Sequence, residues 1–230
     1  MANTYSRLGL AVALVLSCLA PEASAQVGAQ DTDLQLFAVH VNRTPKQDWP
    51  GYGIYLGNGL VLTAAHVTAN VLETKPRVAI GAKELPASLI KQGSFEGVDL
   101  TLLSIDAKEL PIRLQMRRLP LCERGPYAGE MVVVVIPEGT ARSRVLSPLA
   151  IPADLRDRFG SVIGDVATTG NSGSGVFDVL NQCLLGIISR KISVGQPAAP
   201  FQKPGHIRDI AKYFVPVRDI RAFIPGNVTF

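Results

Sequence analysis

"GYGIYLGNGLVLTAAHV", residues 51–67, holds two apolar runs hinged on Asn58-Gly59. Asn-Gly tolerates the positive φ that a two-residue hairpin turn demands, so the stretch predicts a β-hairpin. At its end the large apolar residues give way to Ala64-Ala65 and then His66. That places an imidazole at a strand end with room around it.

Working outward, the neighbouring runs read as further short strands. "LQLFAVHVNR" (34–43) alternates, and 77–82, 87–92 and 98–106 continue the series. Pro, Gly and charge in "LPLCERGPYAGE" (119–130) mark a connection. A second series then runs through 131–137, 143–151, 161–168, 175–180 and 183–192. Short strands separated by turn signals predict an all-β barrel or sandwich, not βαβ units. "VPVRDIRAFI" (215–224) departs from this. Val217, Ile220 and Ile224 recur at helical spacing, and Pro216 suits a first turn, so a short C-terminal helix is expected.

The chain has 230 residues, 47% hydrophobic and 18% charged, which is an ordinary globular composition. It suits one large all-β domain or two small lobes. A net charge of +4 with no dense basic run argues against a nucleic-acid partner. Arg113, Arg117, Arg118 and Arg124 read as a solvated face. With no phosphate loop, dinucleotide motif or metal-ligand cluster, neither a cofactor nor a metal is expected.

Residues 1–25 read as a signal peptide, with Arg7, the apolar run 8–20 and the small-residue site Ala23–Ala25. The expected mature chain starts at Gln26 and is secreted or periplasmic, with no membrane contact after cleavage. The rival is a lipoprotein anchored through Cys18, which Leu16 fits poorly. The two cysteines left, Cys122 and Cys183, suit a disulfide in an exported protein, against the alternative of two buried thiols. Such a bridge would contribute about 4 kcal/mol by loop entropy.

The chain has three histidines. His40 alternates with Val39 and Val41 and reads as half-buried or solvated; His206 follows Pro204-Gly205 in a loop. His66 suits a general base. Asp99, between Val98 and Leu100, is either a loop aspartate before a strand or a desolvated carboxylate that needs a partner. "GNSGSG" (170–175) is either a flexible loop or a tight turn offering Ser172 or Ser174 under backbone N–H groups.

"VLTAAHV" (61–67), "VDLTLL" (98–103) and "TGNSGSGVF" (169–177) together resemble the histidine, aspartate and serine motifs of the chymotrypsin-like serine proteases, in that family's chain order. The likeness spans about Phe37 to Ile224. It implies two antiparallel six-stranded β-barrels of trypsin type, about 34–118 and 128–224, within a domain of residues 26–230. It implies Ser172 as nucleophile, His66 as general base and Asp99 as the group orienting it. The N–H groups of Gly170 and Ser172 would form the oxyanion hole. "GIISRK" (186–191) resembles the strand that binds substrate backbone, with Ser189 near the triad and Arg190 and Lys191 beside the peptide. Polypeptide is the implied substrate, and a monomer is expected.

Departures from the family are informative. Asn171 stands where trypsins carry the aspartate that pairs with a new N-terminus, and no "IVGG"-like start lies near Gln26. The likeness is therefore to bacterial glutamyl endopeptidases and high-temperature-requirement proteases. Val166, six residues before Ser172, offers no charge for Arg or Lys, so small or apolar residues are expected at the cleavage site. Ile188 stands where glutamyl endopeptidases have their specificity histidine. Arg190 and Lys191 either favour acidic residues or face solvent. The competing reading is a non-catalytic binding protein on the same scaffold; an esterase would share the acylation chemistry. Asn171 predicts activity without trypsin-style processing. Chain expressed from Gln26 is expected to be active directly; activity appearing only after a further N-terminal cut would contradict this.

Overall fold

The computed structural model describes residues 33–42, 51–81, 83–164, 172–195 and 207–230. The signal-like segment, Val166, Gly170, Asn171 and His206 lie outside them. The architecture is two curled antiparallel half-barrels. The first holds β1 (Ala38–Asn42), β2 (Gly51–Gly57), β3 (Leu60–Thr63), β4 (Arg77–Ile80), β5 (Lys83–Pro86), β6 (Ser88–Gln92) and β7 (Thr101–Ser104). Their spatial order is β5-β4-β1-β2-β3-β7-β6. The second holds β8 (Met131–Ile136), β9 (Gly139–Arg144), β10 (Val162–Ile163), β11 (Gly175–Asp178), β12 (Leu184–Gly195) and β13 (Ile207–Pro216), ordered β10-β13-β12-β11-β8-β9. Among the described residues no helix is long and apolar enough to cross a membrane.

The Asn58-Gly59 hairpin forms as expected, with φ of 51° and 77° at the two turn residues. All seven residues of β2 are buried, because both faces of the strand are covered. Tyr55 points into the first half-barrel with Val39, Val61 and Leu103. Ile54 and Leu56 point the other way, into a core shared with Val133, Val135, Phe177 and Ile187 of the second half-barrel. The same division explains "MVVVVI": Val132 and Val134 fill the second half-barrel, while Val133 and Val135 face the first. Strands buried on both faces lose the polar alternation of a half-exposed sheet, and each large side chain so buried contributes about 1.5–3 kcal/mol.

Some elements differ from the sequence reading. The first sheet has seven strands rather than six, because Gly81 turns the chain at φ 58° and sends Lys83–Pro86 back along β4. The run read as a strand over 143–151 is displaced: β9 ends at Arg144, and a short 3-10 turn covers Pro148–Ala150. β13 carries Arg208, Asp209 and Lys212, which hide its pattern. Asp209 accepts from Lys191 Nζ and Ser193 Oγ on β12, both at 2.7 Å, so its charge serves cross-strand pairing. The C-terminal helix, Val217–Phe223, forms with Pro216 at its N-cap, and Phe223 completes the buried stripe with Val217 and Ile220.

Cys122 and Cys183 are joined in a disulfide, with Cα atoms 5.0 Å apart. It pins the inter-barrel connection to the start of β12, where Cys122 N–H donates to Leu184 O at 3.1 Å. Arg124 nearby is exposed, as expected, and also reaches buried partners. Its Nη2 donates to the buried carboxylates of Glu130 and Asp178, both at 2.8 Å. Replacing both cysteines by serine is expected to lower unfolding stability by about 4 kcal/mol or somewhat less. Denaturant titration under non-reducing conditions reads this, and an unchanged midpoint would show that the bridge adds nothing.

Candidate active site

Three polar side chains from both half-barrels converge in the cleft between them. β3 ends at Thr63, and the one-turn helix Ala65–Thr68 follows at once, setting His66 at the lip. Asp99 lies just before β7, only 1% exposed. Ser172 begins the turn that leads into β11. His66 Nδ1 is 2.8 Å from Asp99 Oδ2, and His66 Nε2 is 2.6 Å from Ser172 Oγ. Two further bonds lock the carboxylate: His66 N–H donates to Oδ1 at 3.1 Å, and Ser189 Oγ donates to Oδ2 at 2.6 Å. Ser172 Oγ also reaches Ser189 O at 3.2 Å.

The backbone makes these positions necessary. Ser189 occupies a bulge in the β12–β13 ladder, between the pairs Ile188–Phe214 and Arg190–Tyr213. A bulge re-aims a side chain, here away from the ladder and onto Asp99. Ser172 O accepts from Tyr52 N–H at 3.0 Å, so the serine turn is bonded to the opposite half-barrel. Gly173 has φ 91°, and a Cβ there would lie 1.8 Å from Tyr52 O. Only glycine lets the two backbones approach so closely. Ser174, the other candidate serine, is fully buried. The structure thus brings together His66, Asp99, Ser172 and Ser189.

A strand-end histidine bonded on one nitrogen to a buried carboxylate and on the other to a serine hydroxyl is the arrangement for nucleophilic acyl transfer. A model of the trypsin-like peptidase domain matches residues 51–187. The chain belongs to the trypsin-like peptidases. It is a serine protease, a hydrolase whose substrates are polypeptides. No curated protein matches this peptidase in sequence. Solved structures share its fold. The active form of the Rv3671c protease from M. tuberculosis is 16% identical with a TM-score of 0.58, and 95% of this chain and 92% of that one are covered. A serine endoprotease from Yersinia pestis is 19% identical at a TM-score of 0.57, covering 88% and 65%. Deg5 is 13% identical at a TM-score of 0.62, covering 89% and 94%.

Of the other residues singled out in the sequence, Lys191 is exposed and bound to Asp209. Arg190 turns into the cleft. His40 is half-buried, pairs with Glu138 at 3.0 Å and takes no part in the site. The site also has an aromatic rim: Phe95 meets the His66 ring edge-on with centroids 5.2 Å apart, and Phe159 packs on Tyr213 at 4.9 Å. Nothing in "GSFEGVD" or "DRFGS" marks these phenylalanines, because their position follows from loops of different half-barrels meeting across the cleft.

Burial by itself would raise the Asp99 pKa, but the bonds from His66 and Ser189 and the nearby imidazole outweigh it and hold the carboxyl below its ordinary value of 3.8. A depressed folded-state pKa gives stability that is complete above the unfolded value and lost as pH falls through the folded one. Asp178 behaves likewise: burial raises it, and the Asn181 and Leu180 donors with Arg124 bring it lower. Thermal melts between about pH 6 and about pH 2.5 should therefore fall steeply below about pH 4. Asp99→Asn should flatten part of that acid limb, leaving the Asp178 share. An identical acid slope in both proteins would mean that Asp99 is not held ionised.

Proposed function

We propose that the peptidase is an exported serine endopeptidase acting through an acyl-enzyme, with Ser172 as nucleophile, His66 as general base and acid, and Asp99 orienting the imidazole. The observation that carries this reading is the continuous chain from Asp99 Oδ2 through His66 to Ser172 Oγ, with links of 2.8 Å and 2.6 Å.

In the proposed reaction His66 Nε2 takes the Ser172 proton as Oγ bonds to the scissile carbonyl carbon. The Nδ1–H bond to Asp99 fixes the tautomer that leaves Nε2 free to accept, and stabilises the imidazolium. His66 then protonates the departing amine, and the acyl group stays on Oγ. Water, deprotonated by His66, releases the acid in the second half. The N–H groups of Gly170 and Ser172 are proposed to hold the oxyanion. Beyond Ile188, β12 pairs with β13 on one edge and with no described strand on the other. A substrate backbone would add at that edge as a short strand beside Ser172. Val166 supports a preference for small or apolar residues at the cleaved position over Arg or Lys. The signal-like N-terminus and the disulfide support export.

A fluorophosphonate probe is expected to label wild type and Ser174→Ala but not Ser172→Ala. Asp99→Asn is expected to lower kcat by a factor on the order of 10⁴, as loss of the oriented tautomer does elsewhere. Labelling that persists in Ser172→Ala rejects the nucleophile; unchanged kcat in Asp99→Asn rejects the orienting carboxylate.

A further inference from the structure

Arg190 follows Ser189 directly, so its side chain starts one residue from the group bonded to Asp99. It crosses the cleft to the first half-barrel. The guanidinium lies over the Phe95 ring, 3.6 Å from its centroid, and 5.2 Å from that of Phe159. One Nη2–H donates to Phe95 O, and Nε–H donates to Ser189 Oγ at 3.3 Å. A guanidinium carries five N–H donors in a planar fork, so the outer part of this one is left without a protein acceptor among the described residues.

Its neighbours are differently placed. Lys191 is bound to Asp209, and Arg158, on the same half-barrel, is bound to Glu96 of the other. Among the described residues no carboxylate forms an ion pair with Arg190. Burial, with the Arg158 charge, lowers its pKa, which the Asp99 and Glu96 charges partly oppose without bonding it. A cation desolvated on two aromatic faces, with free fork donors at the lip of a peptide-binding edge, is a carboxylate receptor.

We infer that Arg190 is a specificity-determining residue that binds an Asp or Glu side chain of the substrate, on the acyl side of the scissile bond and within three residues of it. The inference rests on the peptidase reading above. The placement follows from the open edge of β12: the acyl carbonyl sits at Ser172, so the chain preceding it runs past Ser189 and Arg190. The preference is separate from that of the cleaved residue itself, where Val166 offers no charge.

The test uses the mature chain and quenched fluorescent peptides with an apolar residue at the cleaved position. Glu, or its neutral isostere Gln, is walked through the three acyl-side positions. At one of them wild type should cleave the Glu peptide with a kcat/KM about 10-fold to 100-fold above the Gln peptide, the range of a charge-assisted hydrogen bond. Arg190→Gln should bring that ratio near one, and Arg190→Lys, which keeps charge without the fork, should fall between. Because the readout is a ratio within one protein, a variant of lower overall activity still reports. A wild-type ratio near one at all three positions overturns the inference without any variant, as does a high ratio that survives Arg190→Gln. Wild type labelled by fluorophosphonate at Ser172 but preferring no acidic peptide sinks this inference alone; wild type neither labelled nor cleaving any peptide sinks the peptidase reading with it.

Discussion

The buried carboxylate of Asp99 is the constraint on which the cleft depends. Removing an aspartate from water is costly unless its charge is answered by donors. Here His66 supplies a backbone N–H and a ring nitrogen from the first half-barrel, and Ser189 supplies a hydroxyl from the second. Each donor is placed by backbone: the one-turn helix after β3 and the bulge in β12. The carboxylate therefore joins the two half-barrels as well as bonding the imidazole. A displacement of either half would leave a desolvated charge unanswered, so electrostatics and packing select the same relative placement.

Packing meets this requirement through strands buried on both faces. In β2, β3 and β8 alternate side chains fill their own half-barrel and the layer between the two, and β12 also contributes to both. That layer sets the backbones close enough for Tyr52 N–H to bond Ser172 O, where Gly173 removes the side chain that would collide. The serine turn thus rests on the opposite half-barrel. Its reach to His66 is a property of the whole interface, not of a local loop.

Legibility in the sequence followed the range of the interactions. The 51–67 hairpin was readable because Asn58-Gly59 meets a local φ requirement. The C-terminal helix was readable because a stripe repeats at helical spacing. β13 was not, since Asp209 and Lys212 break its alternation for reasons that lie on β12 and its surroundings. Lys83–Pro86 is not legible as a strand because a short edge strand with two charges looks like a turn. Arg124 is exposed, as its charged surroundings suggest, but its bonds were not legible, because the buried carboxylates it joins, Glu130 and Asp178, are set beside it only in the fold.

By itself the sequence determined an all-β chain in two series of strands, and the order of histidine, aspartate and serine motifs that identifies the peptidase family. Those are local patterns and chain order, which need no folding to be read. The tertiary structure decided which groups meet. It set His66 between Asp99 and Ser172, turned Ser189 onto the carboxylate through a bulge, buried Ser174, tied Lys191 to Asp209 and laid Arg190 across the cleft on Phe95. Each of these joins residues distant in sequence, and the distance between them is fixed by sheet register and by packing between the half-barrels. Chain order carries no record of either.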